Sequence, residues 1–144
     1  MIKKQVIGEL KRIAEKHNGL LQPDAVVKEA KPKTSPLHSY FEWNNSAAAY
    51  QHRLWQARSL IRVAVEIIAG VDSPVDVFVS LSNDRGKKRG GYRLMVDVLS
   101  DGDLREQMLS DALKELVVFR DKYKALRELA EVFHAITKCS KCKK

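Results

Sequence analysis

Residues 58–82 read RSLIRVAVEIIAGVDSPVDVFVSLS, and a change of rhythm inside them decides the fold class. Up to Arg62 the apolar residues recur at helical spacing. From Val63 they come in short β-branched runs, VAVEII and then VDVFVSLS, separated by Gly70 and Pro74. A third run, YRLMVDVLS, occupies 92–100. Strands are therefore expected at 63–69, 75–82 and 91–99, joined as a three-stranded antiparallel meander. Between the last two lies NDRGKKRGG, whose composition predicts an exposed loop carrying Arg85, Lys87, Lys88 and Arg89 at its tip.

Upstream of this switch the pattern is helical. A first helix is expected over 2–17, with Ile2, Val6, Leu10 and Ile13 on one face and Asn18-Gly19 as its stop. A second, over 23–30, starts on Pro23, a residue suited to a first helical turn, and ends before Lys31-Pro32. The two prolines of KPKTSPLH then impose an irregular connector, after which Leu37, Tyr40, Phe41 and Trp43 are expected to pack down. A third helix over 45–62 is capped by Asn45 or Ser46. Its wheel gives a core stripe of Ala47, Tyr50, Leu54, Ala57 and Ile61, flanked by Gln51, Trp55, Arg58 and Arg62.

Downstream, 101–138 is helical in pattern, with neither Pro nor Gly after Gly102. Leu109, Ala112, Leu116, Phe119, Tyr123, Leu126, Ala130 and Phe133 alternate spacings of three and four, the heptad signature of a self-associating helix. Further apolar residues at Leu113, Leu129, Val132 and Ile136 keep a hairpin broken near Asp121 open as the alternative. The expected fold is thus α+β: a basic head over 1–100 with an N-terminal helical part and the meander, a long oligomerisation helix with coiled-coil-like heptads over 101–138, and a flexible basic tail over 139–144.

Composition narrows the function classes. The 144 residues are 44% hydrophobic, enough for one core and an appended element. Twenty-six Lys and Arg against 18 Asp and Glu give a formal charge of +8, which favours polyanionic partners. The excess sits in residues 1–62, where 11 basic residues face 5 acidic ones. The start MIKKQVIGELKRIAEK alternates apolar and charged residues, unlike a signal peptide. No stretch approaches the roughly 20 apolar residues of a membrane span. The two cysteines, Cys139 and Cys142, both lie in the last six residues and make no disulfide framework, so a reducing cytoplasm is expected.

Two basic constellations suit a nucleic acid. Arg53, Trp55, Arg58 and Arg62 on the third helix offer guanidiniums for phosphates or guanine edges and an indole for sugar or base. The loop cations Arg85, Lys87, Lys88 and Arg89 offer a wing beside them. A standard helix-turn-helix is not expected, because fourteen residues separate Ala30 from Asn45 where that motif has a three- or four-residue turn, but a winged arrangement with an irregular connector remains open. His134, Cys139 and Cys142 have spacings that suit three zinc ligands, but a fourth is missing, so no metal is expected. The four histidines lie in separate elements, and no HExxH or phosphate-cradling glycine motif occurs, so neither catalysis nor a cofactor or small-molecule substrate is expected.

The segments SPLHSYFEWNNSAAAYQHRLWQARSLIRV (35–63) and VFVSLSNDRGKKRGGYRLMVDVLSD (77–101), followed by KYKALRELAEVF (122–133), resemble a group of small proteins encoded by tailed bacteriophages and prophages. The resemblance implies a bacterial-host cytoplasm and DNA as the first polyanion to consider. Small terminase subunits offer a looser architectural analogy, a basic helical head with an oligomerising helix. The expected function is a non-enzymatic, homo-oligomeric DNA-binding protein, with Leu109, Leu116, Phe119, Tyr123, Leu126 and Phe133 in the oligomer seam. RNA as the ligand, or an assembly adaptor docking a protein partner through its last helix, are the alternatives.

Overall fold

The computed structural model describes residues 2–44, 46–85 and 90–142. The fold is α+β, and the chain divides into two compact units, Met1–Asp101 and Gly102–Lys144.

In the first unit, α1 (Lys4–Lys16) buries Val6, Leu10 and Ile13 at spacings of three and four, as its pattern predicts. It stops where Asn18 and Gly19 take positive φ, at 55° and 82°, so that the Gly19 amide turns back to the Ala14 carbonyl at 2.8 Å. That reversal delivers Leu20–Leu21 as a short strand, β1, and α2 (Pro23–Ala30) follows with Val26 and Ala30 fully buried. A single 3-10 turn at His38–Tyr40 leads to α3 (Ala47–Arg62), where the Ser46 hydroxyl accepts the Ala49 amide at 3.2 Å.

The buried face of α3 is turned from the stripe expected. Ala49, Ala57, Leu60 and Ile61 are buried, Leu54 only partly packs against the core, and Tyr50 is 42% exposed. The helix packs on α2, which buries Ala25, Val26, Val27 and Ala30, and the side of α3 that is buried is the one carrying the small Ala49 and Ala57. A wheel that ranks residues by hydrophobicity alone puts Tyr50 inward; close packing puts Ala49 there.

The sheet is three-stranded and antiparallel, as expected, but one strand is a different segment. β2 (Val65–Glu66) and β3 (Val75–Asp76) form a separate two-stranded ribbon, with Val65 opposite Asp76. β4 (Phe78–Val79) pairs with β5 (Tyr92–Leu94), and β1 completes the sheet on the other side of β5, Leu20 opposite Arg93. The expected run at 63–69 is therefore outside this sheet, and Leu20–Leu21 has taken its place. Gly91 allows the approach, since a Cβ there would lie 2.6 Å from Leu20 Cδ1.

The expected strand over 91–99 ends early for want of a partner. The Met95 amide makes one last bond to the Val77 carbonyl, at 2.8 Å, and the residues across from the next positions belong to β3, which pairs with β2 in the separate ribbon. With no ladder to join, Met95–Ser100 closes its own hydrogen bonds as the short helix α5, burying Val98. A four-residue helix, α4 (Ser82–Arg85), follows β4.

The second unit is a broken helix rather than a continuous one. α6 (Gly102–Tyr123) ends, Leu126 is extended at φ −81° and ψ 98°, and after a 3-10 turn at Arg127–Leu129 the chain resumes as α7 (Ala130–Lys141). No Pro or Gly marks the break. The contacts that accompany it are tertiary: folding back brings Phe133 to 6.3 Å from Phe119, ring centre to ring centre, and lets Arg120 Nη1 donate to Thr137 Oγ1 at 3.0 Å. The hairpin alternative is the one adopted. Residues 139–141, expected in a flexible tail, belong to α7. Among the described residues, no helix is long and apolar enough to cross a membrane.

Candidate nucleic-acid interface

Several basic side chains of the first unit are paired with carboxylates within it. Arg12 reaches Glu9 and Glu29, Lys16 also lies against Glu29, and Lys11 pairs with Glu66 at 2.7 Å. Hydrogen bonds from Arg12 are the main reason both Glu9 and Glu29 stay below the usual carboxylate range. Arg93 on β5 forms a two-pronged pair with Asp84, Nε to Oδ2 at 2.7 Å and Nη2 to Oδ1 at 2.9 Å, while Asp84 itself is only 3% exposed. That hydrogen bonding raises the Arg93 guanidinium above its ordinary value.

Arg58 and Arg62 are different. They stand one turn apart on α3, both exposed, and neither has a hydrogen-bond or ion-pair partner among the described residues. Together with Arg85 they line one open hollow of about 530 Å³, whose apolar wall is Phe78, Val79 and Tyr92. Arg62 in the last turn is also favourable to the helix dipole, a modest effect that leaves its guanidinium free outward. Arg85 is steadied by one bond from Nη2 to the Ser80 carbonyl at 2.7 Å. Its neighbour Asp84 ties α4 to β5 through Arg93, so the sheet fixes where Arg85 stands. Asp76 also lines the hollow, so three guanidiniums face one carboxylate. Such a site attracts an anion and presents planar, multi-donor groups suited to phosphate oxygens.

The expected residues thus separate. Arg58, Arg62 and Arg85 come together, although the last is 23 residues further along the chain than the second. Arg53 does not join them: its Nη1 donates to the Asn44 carbonyl at 2.8 Å and the Glu42 carbonyl at 3.3 Å, and its guanidinium lies 5.6 Å from the Trp43 ring centre. Trp55 shares the Arg58–Arg62 side of α3 but does not line the hollow; it is 59% exposed and stacks on His52. Lys87, Lys88 and Arg89 lie outside the described residues.

Of the expected oligomer seam, Phe119 meets Tyr123 along α6 and Phe133 across the hairpin, whereas Leu109, Leu116 and Leu126 remain 41–46% exposed. His134 and Cys139 both lie on α7, where a five-residue separation turns them about 140° apart, and Cys142 caps the helix. Among the described residues no group of three His, Cys, Asp or Glu is placed to hold a metal. The sequence pattern gave no reason to single out Lys28, Lys31, Lys33 and Tyr50, which surround a second hollow; the cluster of lysines in KEAKPK was the available signal. No protein-family model, no curated protein and no solved structure matches the chain, so its function has to be argued from these residues.

Proposed function

We propose that the chain is a non-enzymatic DNA-binding protein whose first unit grips duplex phosphates with Arg58, Arg62 and Arg85. The observation that carries this reading is selective: where Arg12 and Arg93 are neutralised by carboxylates, Arg58 and Arg62 have no such partner among the described residues and stand beside Arg85. Holding exposed like charges together without counter-charges costs stability, a cost expected at a surface made for an anionic partner. Contacts of this kind position a duplex rather than read its sequence. The bacterial-host cytoplasm and phage setting implied by the resemblance belong to the same proposal.

Self-association through the second unit is the other part of the reading. A two-helix unit of about 40 residues is too small to enclose a core of its own, and α6 has no buried residue among those described, leaving Leu109 and Leu116 accessible. A second copy covering them would double the phosphate contacts and multiply weak affinities. Binding of a labelled duplex across a salt series, with the Arg58→Ala/Arg62→Ala variant beside the wild type, tests the DNA reading. Preference for duplex RNA of the same length would redirect it to RNA.

A further inference from the structure

The second hollow of the first unit, of about 440 Å³, shares no residue with the one that holds Arg58 and Arg62. Lys28, Lys31, Lys33 and Arg53 line it, and no acidic residue does. Its back wall is rigidly built. The Trp43 indole donates to the His38 carbonyl at 3.0 Å, the His38 ring lies parallel to it at 5.0 Å, and the Arg53 guanidinium sits over it while bonded to the Asn44 carbonyl. Arg53 Nε is buried there with no partner among the described residues. Tyr50 also lines the hollow, 42% exposed although its hydrophobicity would have turned it inward.

We infer that this hollow receives one unpaired nucleotide of a nucleic-acid strand, its base against the Tyr50 ring and its phosphates among Lys28, Lys31 and Lys33. Four cations without an acid select an anion. An accessible aromatic ring lining the same hollow adds something a bare anion cannot use, a flat apolar face to stack on. A base inside a duplex has both faces covered by its neighbours, so only an unpaired nucleotide can offer its face to Tyr50. The size lies within the roughly 300–1,000 Å³ common for sites that enclose small ligand groups. Because Arg53 is anchored by backbone carbonyls, its charge is already in place when the nucleotide arrives.

The test uses the full chain carrying Trp55→Phe, which leaves Trp43, in the wall of the hollow, as the sole tryptophan. Its emission is followed while a deoxythymidine oligonucleotide, the equivalent blunt duplex, deoxythymidine monophosphate, inorganic phosphate and polyglutamate are titrated in turn. A saturable change with the single strand is expected, tighter than with any of the other four. Tyr50→Ala should weaken it by about five- to tenfold, the lower part of the range for loss of base stacking, while Tyr50→Phe keeps it. Lys31→Glu with Lys33→Glu should weaken it at least about tenfold at low salt. The fold-loss caused by Tyr50→Ala should be the same in an Arg58→Ala/Arg62→Ala background, so this inference and the duplex reading fail separately. Absence of a saturable change with the strand, an equal response to polyglutamate, phosphate or the free nucleotide, or indifference to Tyr50→Ala would each overturn the assignment.

Discussion

Replacing Arg58 and Arg62 together by alanine removes two of the three guanidiniums from the first hollow and touches nothing else that the described residues hold in place. If each pairs with one duplex phosphate, the slope of log affinity against log salt should become shallower by about 1.8, at roughly 0.9 per phosphate contact. Between about 50 and 200 mM salt, a fourfold rise, those two contacts make the wild type lose about 12-fold more affinity than the variant. Arg58→Ala alone should give about half the change in slope and a difference of about 3.5-fold over the same interval. Fluorescence anisotropy of a labelled duplex measures both. Thermal unfolding of the variants should stay within about 0.5 kcal/mol of the wild type, since both side chains are exposed and unpaired, and this separates lost contacts from lost fold. An unchanged slope in the double variant would refute the assignment of these arginines to phosphate, whatever the affinity of the protein for DNA.

Asp84→Ala strands Arg93 and releases α4 from β5. Because Arg93 is 23% exposed, the cost should fall below the roughly 3–5 kcal/mol of a fully buried pair, near 2 kcal/mol, and lower the Tm of the first unit by roughly 10 °C. Calorimetry showing no shift would mean the pair does not hold α4. Charges at Leu109 and Leu116, as Leu109→Glu with Leu116→Glu, should convert an oligomer to a monomer by solution mass; a wild type that is already monomeric at tens of micromolar, on the order of typical assay concentrations, removes self-association from the account. Glu9 and Glu29 have folded values depressed by Arg12, so their contribution is complete above the unfolded carboxylate value of about 4.3 and is lost as pH falls through the lower folded values. The Tm should therefore decline more steeply below about pH 4 in the wild type than in Arg12→Ala, and parallel curves for the two would contradict the linkage.

What could be read from residues alone was set by local physics. The α1 stop at Asn18-Gly19, the Pro23 start of α2, the Ser46 cap of α3 and the helical C-terminal third all depend on neighbours within a few positions, and each is where the pattern puts it. The exposed positions of Arg58 and Arg62 follow from the same periodicity.

What depended on distant partners was decided only by the tertiary structure. Whether YRLMVDVLS continues as a strand turned on β3 leaving for a separate ribbon with β2, and whether Leu20–Leu21 becomes a strand turned on Gly91 leaving room beside β5. The break after Tyr123 brings Phe133 against Phe119, a contact that one straight helix could not make. The site divides the same way. Sequence supplied a helix with three arginines, Arg53, Arg58 and Arg62, but the carbonyls of Glu42 and Asn44 took Arg53 to one hollow, and the Arg93–Asp84 pair brought Arg85 to the other. A guanidinium's charge is a property of the residue, whereas its freedom to meet a phosphate is set by which carboxylates and carbonyls the fold places within reach.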